Sequence, residues 1–78
     1  MARDGGEARR VEVGFTGGQV ILMRLSERTH EQLRRAVQDG KQRWYEVETV
    51  DGVVGLDLGQ VSFLKLENAE HRVGFSGL

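Results

Sequence analysis

Cysteine is absent from this 78-residue chain, which excludes disulfides and every thiolate metal site at once. Long hydrophobic runs are missing as well. The longest, Val20-Ile21-Leu22-Met23, ends at Arg24, far short of the roughly 20 apolar residues of a membrane span. Met1 to Arg10 carries charge and a Gly5-Gly6 pair but no apolar stretch of the kind a signal peptide uses, so the expected location is cytoplasmic. Nor is there an excess of one charge. Eleven Lys and Arg against twelve Asp and Glu leave a net charge of −1, with no general attraction for nucleic acid or an anionic membrane.

The chemistry of catalysis is equally sparse. No Gly-x-Ser-x-Gly turn is present, and the three serines read as a helix cap (Ser26), a strand residue (Ser62) and a tail residue (Ser76). His30 and His71, beside Glu31 and Glu70, lack the His-x-x-x-His spacing that sets two imidazoles on one helix face, so no metal is expected. Glu46, Glu48, Asp51 and Asp57 do not follow the spacing of a calcium loop and read as a solvated face. Gly17-Gly18 lacks the lysine and the strand-to-helix setting of a phosphate loop, which leaves it as a hairpin turn. The expectation is therefore no catalytic residue, no cofactor and no metal.

What is present is a set of alternating patterns. Residues 1–10 show no periodicity and read as a disordered lead-in, and 11–78 read as a single α+β domain. Val11, Val13 and Phe15 alternate with Glu12 and Gly14, and Val20 to Leu25 follows Gly17-Gly18 as a second strand. A two-residue loop there sets Phe15 opposite Val20, Val13 opposite Leu22 and Val11 opposite Arg24. On that register Ile21, Met23 and Leu25 lie on the reverse face and require a cover.

Ser26 as N-cap, Glu27 in the first turn and Gly40 after Asp39 bound a helix over 27–39, whose apolar stripe is only Leu33, Ala36 and Val37. From Arg43 the period becomes two. Asp51-Gly52 reads as the turn of a second hairpin, pairing Tyr45 with Leu58, Val47 with Leu56 and Thr49 with Val54. Its reverse face is acidic, with Trp44 at the end. An irregular turn with a bulge is expected at Gly59-Gln60, then a strand over 61–66 and a last one over 72–75. The fold class is α+β: a bent antiparallel sheet or small open barrel of about six strands with one helix, in the order ββαββββ.

A chain of this length buries only roughly 60% of the surface its unfolded form exposes, and without disulfide or metal the stabilising device left is self-association. Charge is segregated along the chain: residues 24–43 carry a net +3 and residues 44–78 a net −4. Two functions follow as expectations. The first is a non-catalytic protein-interaction domain forming a homodimer or higher homo-oligomer through Ile21, Met23, Leu25 and Trp44. The second is a nucleic-acid-binding module in which Arg28, Arg34 and Arg35 contact phosphate, a reading weakened by the interspersed Glu27, Glu31 and Asp39 and by the lack of a stacking aromatic in the stretch.

Overall fold

The computed structural model of the chain describes residues 8–67. Five strands and one helix follow in order: β1 (Arg9–Phe15), β2 (Val20–Leu25), α1 (Glu27–Asp39), β3 (Trp44–Thr49), β4 (Gly52–Asp57) and β5 (Val61–Leu66), with a 3-10 turn at Leu58–Gln60 before β5. The sheets are antiparallel, one of three strands in the order β2-β1-β5 and one of two, β3-β4, so the fold is α+β and neither sheet closes into a barrel. The strand expected over 72–75 lies outside the described residues, as does His71. The first strand begins two residues before the expected Val11, because Arg9 and Arg10 already pair with Leu25 and Arg24.

The first hairpin is one residue out of the expected register. Phe15 N–H donates to Gln19 O at 2.8 Å, and Gly18 N–H donates to Phe15 O at 2.9 Å. The loop is thus Thr16-Gly17-Gly18, with φ of 98° at Gly17 in the turn position that glycine alone adopts at no cost. Val11 pairs with Met23 and Val13 with Ile21, and since strand side chains alternate, a slip of one exchanges the faces of β2. Met23 (5% exposed) and Leu25 (1%) therefore join Val11 and Val13 in the core, while Val20 and Leu22 (49% each) turn outward. The energetic reason is Arg24. The two-residue loop would have turned its guanidinium inward beside Val11; in the observed register it points out and binds Asp51 at 2.9 Å.

The second hairpin is displaced by two residues, which changes partners but keeps faces. Its turn is Val50-Asp51, not Asp51-Gly52, so Val47 pairs with Val54 and Thr49 with Gly52. The Thr49 hydroxyl selects this turn: it accepts from Asp51 N–H at 3.0 Å and donates to Gly52 O at 2.7 Å. Val47 and Leu56 remain inside as expected.

Helix α1 keeps its expected bounds. Ser26 Oγ accepts from Thr29 N–H at 3.1 Å, and Gly40, at φ 68°, ends the helix with its N–H on Ala36 O. Leu33 is its one buried residue, seated against the cluster of Val11, Val13, Met23, Leu25, Val47, Leu56 and Leu58 that joins the two sheets. The irregular segment expected at Gly59-Gln60 is the 3-10 turn, capped by Asp57, whose Oδ1 accepts from Gly59 N–H at 3.0 Å. A bulge follows: Gly14 pairs with Phe63 but Phe15 with Val61, leaving Ser62 as the extra residue.

Candidate interaction surface

The register of β1 with both neighbours sets three rows of side chains on the outer face of the three-stranded sheet. Val20, Gly14 and Phe63 form the first row, Leu22, Glu12 and Lys65 the second, and Arg24, Arg10 and Glu67 the third. Glycine at position 14 lets the Phe63 ring lie flat across β1, where an added Cβ would collide with the ring. Phe63 nevertheless stays 45% exposed, so with Val20 and Leu22 it makes an apolar corner spanning all three strands. The neighbouring rows carry both signs of charge, including the Arg10–Glu67 pair at 3.6 Å.

Of the residues expected at an interface, Met23 and Leu25 are buried, Ile21 is half-buried at the edge of the core, and Trp44 is 60% exposed on the other sheet. The expected face is thus corrected by the hairpin register: Met23 and Leu25 offer no surface. Val20 and Leu22 were missed for the same reason, and Phe63 because its place depends on the pairing of β5 with β1. One signal in the chain points to Val20 and Leu22, namely that a register burying Arg24 is untenable. Trp44 lies over Gly55, where an added Cβ would meet the indole ring. Each sheet thus shields a glycine with one outward aromatic.

The arginines proposed for phosphate contact are mostly engaged within the chain. Arg34 is paired with Glu31 through two nitrogens and donates to Gln38 Oε1 at 3.2 Å, and Arg35 Nε reaches Glu31 Oε2 at 3.3 Å. These hydrogen bonds, led by that of Arg34, hold the Glu31 carboxyl below its ordinary pKa. Arg28 is exposed and has no carboxylate partner among the described residues. Elsewhere Arg9 binds Glu27 at 2.7 Å, and Arg43 binds Asp57 at 3.2 Å, which lowers the Asp57 pKa. Arg24–Asp51 and Arg43–Asp57 join the basic stretch to the acidic hairpin within one chain. Glu46 and Glu48 take no part in any ion pair among the described residues.

Among the described residues, two shallow clefts flank α1. One, of about 380 Å³, lies between α1 and β5 and is lined by His30, Arg34, Val37, Gln38, Leu64 and Leu66. Partial burial there lowers the pKa of His30 from its ordinary value. The other, of about 270 Å³, opens between the end of α1 and the 3-10 turn, with Lys41 and Arg43 at its rim. No group of three metal-ligating side chains is brought together among the described residues, and no described helix is long and apolar enough to cross a membrane. Comparison with protein-family models, with curated proteins and with solved structures finds no match to this chain.

Proposed function

We propose that this chain is a small, non-catalytic, cytoplasmic interaction domain that associates with a second copy of itself through the outer face of its three-stranded sheet. The observation that carries the reading is the apolar corner of Val20, Leu22 and Phe63, exposed across three adjacent strands and floored by Gly14. Rows carrying Glu12, Lys65, Arg10 and Glu67 border it, so the same face presents both signs of charge to its own copy. Three half-exposed side chains are few against the roughly 800 Å² per partner of a standard interface. The association is therefore weak and depends on protein concentration.

Light scattering on size-exclusion fractions over a concentration series, at low and high salt, tests it. The expected mass rises toward a dimer with concentration at both salts, because the centre of the contact is apolar. Leu22→Glu places a charge on the exposed face and is expected to stay folded by circular dichroism yet monomeric throughout. Met23→Glu places the charge in the core and is expected to unfold. A parent protein that is monomeric at every concentration, or a Leu22→Glu variant that associates as the parent does, would overturn the proposal.

A further inference from the structure

The outer face of β3 and β4 differs in chemistry from the face just described. It carries an acidic column, Glu46 and Glu48, both exposed, alongside an apolar column made by the Trp44 ring over Gly55 and by Val53, itself 62% exposed. Arg43, the cation nearest this face in sequence, is held by Asp57. Two adjacent like charges without a counter-cation among the described residues, beside exposed apolar surface, form a pattern that a basic group with a long aliphatic stem complements.

We infer that this face binds an extended, arginine- or lysine-bearing segment of a partner protein. Glu46 and Glu48 project from alternate positions of one strand, about 7 Å apart, which is also the spacing of alternate side chains on an extended peptide. Two basic residues at i and i+2 of such a segment meet the two carboxylates together. Their aliphatic stems lie on Val53 and on the indole, and a guanidinium over the Trp44 ring gains a cation–π contact. The same carboxylates repel phosphate, so the face excludes nucleic acid and anionic lipid as occupants. The inference is independent of self-association, since the two surfaces lie on different sheets.

Trp44 is the only tryptophan in the chain, so its emission reads this face alone. The test titrates the intact protein with the peptide Arg-Ser-Arg-Ser-Arg and, separately, with Glu-Ser-Glu-Ser-Glu. The expected result is a saturable emission change with the basic peptide only, weakening as salt is raised. Glu46→Gln/Glu48→Gln, at two exposed positions and expected to leave circular dichroism and the melting curve unchanged, should lower affinity about fivefold, the magnitude of two exposed ion pairs. Equal responses to both peptides, or unchanged affinity in the double variant, would overturn the inference. So would an emission change that follows protein concentration without responding to peptide, because that result assigns the face to a second copy.

Discussion

Replacing Leu33 with alanine examines how much of the fold depends on the helix. Leu33 is fully enclosed and is the only buried residue of α1, so it is the chief apolar tie between the helix and the sheets. Removing a buried leucine side chain costs about 3 kcal/mol, within the usual range of about 2–5, because its transfer energy is lost and a cavity remains. A folded unit of this size has a total stability of about 3–9 kcal/mol. The substitution thus removes a third of the stability or more and lowers the melting temperature by about 12–24 °C, at about 4–8 °C per kcal/mol. Urea unfolding followed by far-ultraviolet circular dichroism measures it, the midpoint falling by about 3 M at a slope of about 1 kcal/mol/M. Tryptophan emission is unsuited here because Trp44 is largely exposed in the folded state. A loss below about 1 kcal/mol would refute the reasoning, since the helix would then contribute little to the closure of the core.

Two further outcomes follow from the geometry. Gly14→Ala drives a methyl group into the Phe63 ring and is expected to cost about 1–3 kcal/mol, whereas the same change beside Phe63→Ala costs much less; a double-mutant cycle by urea unfolding that gives additive values would disprove the contact. His30 has a folded-state pKa below its ordinary 6.5, chiefly through burial, opposed by Glu31 and reinforced by Arg34 and Arg9. Its neutral form is favoured by folding, so its contribution is present above about pH 6.5 and is lost as pH falls through the lowered folded-state value. Melting temperatures of the parent and His30→Gln from pH 7.5 to 5 should therefore converge toward low pH, and parallel curves would count against this assignment.

The helix and the second core face were legible because their determinants are local. Ser26 and Gly40 mark the ends of α1 by side-chain oxygen and positive φ, both properties of single residues. In the second hairpin the Thr49 hydroxyl moved the turn by one position and the pairing by two, and an even displacement leaves Val47 and Leu56 inside. The first hairpin shows the opposite case. Gly17-Gly18 marked the place of the turn correctly, but a loop of three residues in place of two exchanged Met23 and Leu25 with Val20 and Leu22. The candidate surface inherited that inversion. Nothing local announces the pairing of β1 with β5, nor the Phe63 ring over Gly14 that depends on it.

That pairing also governs the order in which the protein can be assembled. β1 is made first, yet one of its two edges is filled only by β5, with Val11 meeting Leu66 across nearly the whole described chain. On the ribosome, where chain grows at about 5–20 residues per second, the hairpin of β1 and β2 waits several seconds with a row of unsatisfied amides and carbonyls along that side. Cores dominated by such distant pairings close late and slowly. The waiting edge carries Arg9, Arg10 and Glu12 close to its apolar positions, and this local density of charge opposes its misuse by other nascent chains until its own last described strand arrives.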